Sequence, residues 1–132
     1  MNYILDTNVC IQILKGRSEK IKVKLENISN DMIGIPTVVR YELFFGAYKS
    51  NNPDKTLATV KEFIAAFPAL DFDDEIAEKS GEIRATLEKL GAPIGPYDLL
   101  IAATAVVKGK ILVTNNTREM SRVQGIKLED WQ

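Results

Sequence analysis

Five short apolar runs, each too brief to make a helix, alternate with segments of helical periodicity. No other feature constrains the fold as strongly. The runs are residues 2–5, Met32–Ile35, Leu70–Phe72, Ile111–Val113 and Leu128–Trp131, the last as an edge strand. Between the first two, residues 7–15 carry Val9, Ile11, Ile13 and Leu14, and SEKIKVKLENIS places Ile21, Leu25 and Ile28 at helical spacing. TVVRYELFFGAYKS predicts a helix from Thr37. NPDKTLATVKEFIAAF predicts another, with Pro53 early, Leu57, Val60, Ile64 and Phe67 on one side, and Pro68 as the stop. DDEIAEKSGEIRATLEKLG opens with acids, which favour a helix N-terminus, turns Ile76, Ile83, Leu87 and Leu90 inward, and is followed by Gly91. Pro96–Lys108 reads as a helix ended by Gly109, and residues 117–122 as a short one. Short buried strands separated by helices are the pattern of a parallel sheet covered on both faces. Ligands of such α/β sheets bind beyond the carboxyl ends of the strands. That is where Asp6 falls, at the end of YIL.

The chain has 132 residues, the size of one domain spanning 1–132. No apolar run approaches the ~18 residues of a membrane span, and no secretion signal opens the sequence. Cys10 is the sole cysteine, which excludes an intramolecular disulfide and fits a reducing cytoplasm; in Val9-Cys10-Ile11 it reads as a core residue. Histidine is absent, so Ser-His-Asp triads, Cys-His pairs and imidazole-based zinc sites are excluded. Acid–base work falls to Asp, Glu, Lys or Tyr, or to metal-bound water. With a net charge of −1, a nucleic-acid partner has to meet a local basic patch. Lys15, Arg17, Lys20, Lys22 and Lys24 form one candidate, although a solvated helix face is the first reading of such a stretch.

Four carboxylates each have two readings. Asp6 is the N-cap of the next helix or a site residue. Asp98, in GPYD, lies in the first turn of a helix with Gly95 as cap and Pro96 at its first position, where acids are favoured anyway. Glu42 sits among Val39, Leu43, Phe44, Phe45 and Tyr48. It should be largely buried there, and needs a cation that Arg40, on another side of the helix, does not supply. Glu119 closes the capping-box spacing Asn116-Thr117-Arg118-Glu119 or joins the site. A hard divalent cation, Mg²⁺ or Mn²⁺, accounts for all four at once, since crowded like charges repel without one and such ions prefer oxygen ligands. Thr7 and Thr114 are candidate supporting hydroxyls.

The pieces YILDTNVCI, YELFFGAYKS, IGPYDLLIAATA, LVTNNTREM and GIKLEDW, in this order along the chain, resemble the PIN-domain ribonucleases, and among them the VapC-type toxins of bacterial toxin–antitoxin modules. The resemblance implies a three-layer α/β/α sandwich with a parallel sheet of about five short strands. It implies a toxic endoribonuclease that uses Mg²⁺ or Mn²⁺ to cut structured RNA such as tRNA, with Asp6, Glu42, Asp98 and Glu119 as the acidic quartet. Asp in many relatives stands near the place of Asn116, so either Asn116 or Glu119 fills the fourth position. Thr104 stands where relatives often carry His, and Met120 where Phe is usual. The resemblance further implies a homodimer in the bacterial cytoplasm, neutralised by a VapB-type antitoxin within a larger complex that meets DNA only through that antitoxin. An apolar surplus fits such a partner: Tyr41, Phe44 and Tyr48 on one stripe, Val39 and Leu43 beside it, and Phe63, Ile64 and Phe67 on the next helix.

The alternative is a non-catalytic or phosphotransfer α/β domain with structural acids. A receiver-like domain needs an Asp at the end of a central strand and a facing Lys, which VTNN and LDF do not supply. A dehalogenase-type phosphatase needs a second Asp at position 8, which is Asn8.

Overall fold

The structure is a computed structural model describing residues 1–132. Five strands form one all-parallel sheet: β1 Tyr3–Leu5, β2 Ile33–Pro36, β3 Ala69–Leu70, β4 Ile111–Val113 and β5 Lys127–Glu129. Their order is β3-β2-β1-β4-β5, so β1 is central and its two neighbours come from opposite halves of the chain. Tyr3 pairs with Ile33 on one side and Ile111 on the other.

Seven helices fill the crossovers: α1 Thr7–Lys15, α2 Glu19–Glu26, α3 Thr37–Lys49, α4 Pro53–Ala65, α5 Asp74–Lys89, α6 Pro96–Lys108 and α7 Thr117–Met120. A single 3₁₀ turn at Asn30–Met32 leads into β2. Right-handed crossovers place α1–α4 on one face and α5–α7 on the other, which makes the sandwich three layers deep. The layers enclose one apolar core built on Ile4, Leu5, Ile33, Ile35, Leu112 and Val113 from the strands and Ile76, Ile101 and Ala102 from helices on the far face. No helix is long and apolar enough to cross a membrane.

Gly109 ends α6 as expected from the sequence, and two N-caps not read from it appear at α4 and α5. Asn52 and Asp73 accept the amides of Lys55 and Ile76, and Gly109 closes α6 at φ 64°, a left-handed turn that a Cβ would strain. Two strand boundaries differ from expectation. β3 is Ala69–Leu70, not Leu70–Phe72, because Ile35 pairs with Ala69 and the chain leaves the sheet after Leu70. β5 is Lys127–Glu129, not Leu128–Trp131. Trp131 lies past the strand, buried, with its ring edge-on to Tyr3 and its indole N–H donating to Glu129 at 3.0 Å.

Helix α3 also departs from the expected pattern. Val39, Leu43 and Ala47 form its buried stripe, at four-residue spacing. Tyr41, Phe45 and Tyr48 are exposed, whereas Phe44 is half-buried against the core. The exposed aromatic stripe is therefore Tyr41, Phe45 and Tyr48 rather than one through Phe44. Phe63 and Phe67 pack edge to face, with Phe67 buried.

Candidate active site

The centre of the sheet's carboxyl edge is where the chain reverses its lateral direction. β1 is followed by helices leading to β2, and its other neighbour, β4, arrives only after residue 110. Asp6 leaves β1 at this switch point, with its amide bonded to the Val113 carbonyl at 3.1 Å. Its side chain does cap α1, accepting the Val9 amide at 2.9 Å. The cap leaves the second carboxylate oxygen for other work, so the two readings of Asp6 are compatible.

Asp98 lies in the first turn of α6, half-buried, and makes no capping bond to that helix. Glu42 is half-buried rather than largely buried, because the aromatics around it on α3 mostly face outward. No cation meets it. Its partner is the Thr7 hydroxyl, which donates to Oε1 at 2.6 Å. Arg40 is committed elsewhere, donating to the carbonyls of Ile35 at 2.9 Å and Phe67 at 3.0 Å and so tying β2 to the turn before β3. Glu119 does not return to the backbone of Asn116 as a capping box requires. The Asn116 side-chain amide donates to Glu119 Oε2 at 3.0 Å, so both candidates for the fourth position share one corner.

Electrostatics link these acids. Burial pushes the Asp6 carboxyl up to about 6; hydrogen bonds from the Thr114 hydroxyl and the Val9 amide work against the rise, and the charges of Asp98 and Glu42 add to it. Asp98 is also raised, first by burial, then by the charges of Glu42 and Glu119. Asp6, Glu42 and Asp98 thus act on one another, whereas Glu119 reaches the group through Asp98. None of the four belongs to an ion pair. Thr114 is buried, and its oxygen accepts the Asn116 amide at 2.9 Å.

An all-oxygen set of acids, mutually repelling and without a cation, fits a hard divalent ion. As the side chains lie, no three of the acids close directly around one point. That suits an ion bound by one or two carboxylates, with water filling the remaining positions, better than an all-protein cage.

Beside Glu42 a groove of about 550 Å³ runs between α1, α3 and α4, with Lys15, Lys55, Leu43 and Gly46 in its walls. Of the basic stretch, Lys15 lines this groove, while Lys20 and Lys24 lie near Trp131 instead. Two aromatic residues not singled out from the sequence as site neighbours also border the acids: Tyr97 and Tyr41, whose hydroxyls are 3.3 Å apart. Their position one residue before Asp98 and Glu42 is the only sequence sign of them.

Residues 3–126 match the PIN domain family. The chain belongs to the PIN domain family. This PIN domain is 41% identical over 131 residues to the tRNA(fMet)-specific endonuclease VapC of Salmonella typhimurium, covering 99% of this chain and 98% of that one. It is 36% identical to ribonuclease VapC2 of Haemophilus influenzae over the same shares. Its fold superposes on the DNA-bound VapBC structure from Salmonella typhimurium with a TM-score of 0.94, 41% identity and coverage of 100% and 99%. On Rickettsia felis VapBC2 bound to a promoter DNA fragment the TM-score is 0.93, with 33% identity and full coverage of both chains. The three-layer α/β/α sandwich with its five-stranded parallel sheet is therefore the PIN-like fold.

Proposed function

We propose that this PIN domain, as one domain spanning 1–132, is the toxin of a bacterial toxin–antitoxin pair and acts in the cytoplasm as a divalent-metal-dependent endoribonuclease on structured RNA, tRNA foremost. The observation that carries the reading is the convergence of Asp6, Glu42 and Asp98, with Glu119 behind them, at the sheet's switch point with no cation among them. Membership of the PIN domain family and whole-length similarity to VapC ribonucleases support it.

Asp6 and Asp98 would hold Mg²⁺ or Mn²⁺, directly or through water, with Glu42 and Glu119 completing the set. When bound, the ion lowers the pKa of its water and offsets charge developing on the scissile phosphate, which supplies a nucleophile without histidine. The residues of the chain do the positioning. Thr7 fixes the orientation of Glu42, leaving Oε2 to align the attacking water. Val9 and Thr114 hold Asp6 in place, and Asn116 holds Glu119. No lysine pairs with Asp6, as a receiver-like phosphotransfer site would require.

The partner follows from the same family. A VapB-type antitoxin segment would lie in the groove between α1, α3 and α4, whose mouth is bounded by Glu42, and so cover the acids. A basic side chain on that segment would compete with the metal for them. Phe45 and Tyr48, exposed on α3 away from that groove, suit a homodimer contact. DNA would be met only through the antitoxin.

The test is cleavage of a tRNA(fMet) transcript by the purified chain with Mg²⁺ or Mn²⁺, with EDTA, and by Asp98→Asn. The reading expects cleavage in the first case alone, with the Asp98→Asn fold intact by circular dichroism. Full activity in EDTA or in Asp98→Asn would overturn it.

A further inference from the structure

We propose that Tyr41 and Tyr97 form a paired aromatic platform at the mouth of the site, on which a nucleobase flanking the scissile phosphate stacks. The inference rests on the ribonuclease reading and adds to it how the RNA is positioned. Tyr41 is 51% exposed and Tyr97 42% exposed. Their ring centroids are 5.4 Å apart at an interplanar angle of 53°, and their hydroxyls, 3.3 Å apart, join α3 to α6. Each is the residue immediately before a candidate acid, Glu42 in α3 or Asp98 in the first turn of α6, so the pair is carried by the same two helices as the chemistry.

Two exposed rings that pin each other lose little freedom when a third flat group covers them. A phosphodiester held at the acids carries a base on either side, and a base offers that flat group whatever its identity. The mouth is otherwise acidic and cannot itself attract RNA. A neutral stacking surface binds there without adding repulsion. A second copy of the chain is the competing occupant. Seated on Tyr97 it would obstruct the path to Asp98, whereas Phe45 and Tyr48, further along α3, can be covered without closing the site.

The experiment is a cycle of protein and RNA changes. The cut in a tRNA(fMet) transcript is mapped, and transcripts abasic at the nucleotide on each side of it are made. Single-turnover cleavage is then measured for wild type, Tyr97→Leu and Tyr97→Phe. Loss of one base–aromatic stack corresponds to roughly 5- to 150-fold. The platform expects one abasic position to slow wild type by that much and Tyr97→Leu to slow intact RNA similarly. The two together should add little, and Tyr97→Phe should retain most activity. Losses that multiply independently, or no loss in Tyr97→Leu, overturn it. So does sedimentation showing that Tyr97→Leu dissociates a dimer while leaving abasic sensitivity intact. If Tyr97→Leu does not fold, Tyr41→Leu takes its place in the same cycle; an abasic series without effect on wild type rejects the platform by itself. A wild type that cuts no RNA with either metal sinks the ribonuclease reading as well. A wild type that cuts without this coupling sinks the platform alone.

Discussion

Asp6→Asn separates the two roles of Asp6, because asparagine keeps the Oδ1 that caps α1 and discards the charge. In the folded chain the carboxyl titrates at about 6 rather than 3.8, chiefly because burial disfavours its ionised form. At 1.36 kcal/mol per pH unit, that rise means ionised Asp6 costs the fold about 3 kcal/mol at neutral pH without metal. A raised carboxylate contributes fully below its unfolded pKa, and the contribution is lost as pH rises through the folded one. Wild type in EDTA should therefore lose stability between pH 4 and 7, and Asp6→Asn should lose less, keeping only the part due to the likewise raised Asp98. For a chain of this size about 3 kcal/mol is roughly 10 °C in Tm. Thermal unfolding of both proteins in EDTA across that range is the assay. Asp6→Asn should match wild type near pH 4 and exceed it by up to that margin at pH 7.5. Adding Mg²⁺ should then raise the wild-type Tm and leave the variant unmoved, since a ligand of the folded state alone stabilises by mass action. A variant less stable than wild type at every pH would show that Asp6 is a structural anion and refute the reasoning.

Glu42→Gln should abolish most RNA cleavage yet shift the urea midpoint little, since glutamine still accepts from Thr7 and no ion pair is broken; a stability loss of roughly 3–5 kcal/mol would instead mark a buried pair. Gly46→Trp fills the groove between α1, α3 and α4 from a position where a Cβ meets nothing within 4 Å. It should fold and cleave, and resist inhibition when titrated with a VapB-type antitoxin; unchanged inhibition would move the antitoxin off this groove. Gly34→Ala puts a Cβ 2.5 Å from Met1 Sδ and 2.8 Å from Leu70 Cδ1, so urea unfolding should show a loss of about 1–3 kcal/mol, softened only if Met1 swings away.

The alternation of apolar runs and helical segments was enough to place β1, β2 and β4, since a fully buried parallel strand is apolar throughout, and to place the edge strands β3 and β5 approximately. Boundaries were less legible at the sheet's edges, where pairing with one neighbour decides. Ala69 joins β3 because Ile35 faces it, not because of its own side chain. Trp131 read as strand because it is large and apolar, but it is buried by folding back on Tyr3. At the site, Asp6 and Asp98 were legible from their places after a strand and in a first helical turn. Glu42 was legible as unusual but not as half-exposed, because the apolar residues around it say nothing of which face the helix turns outward. The contacts that settle it, Thr7 to Glu42 and Arg40 to two carbonyls, join residues 35 and 27 or fewer positions apart through the fold and leave no local pattern.

The strand order also bears on how the chain is made. β1 emerges from the ribosome first and finds β2 soon after, but its other edge stays uncovered until β4, beyond residue 110, has been synthesised. Asp98 comes only shortly before β4, and Glu119 after it. A growing or truncated chain therefore carries Asp6 and Glu42 without the partners that complete the acidic set. Its central strand keeps one open, sticky flank on which another chain can pair. Activity should thus switch on abruptly with the last fifth of the sequence, and incomplete products should be harmless as nucleases but prone to clump.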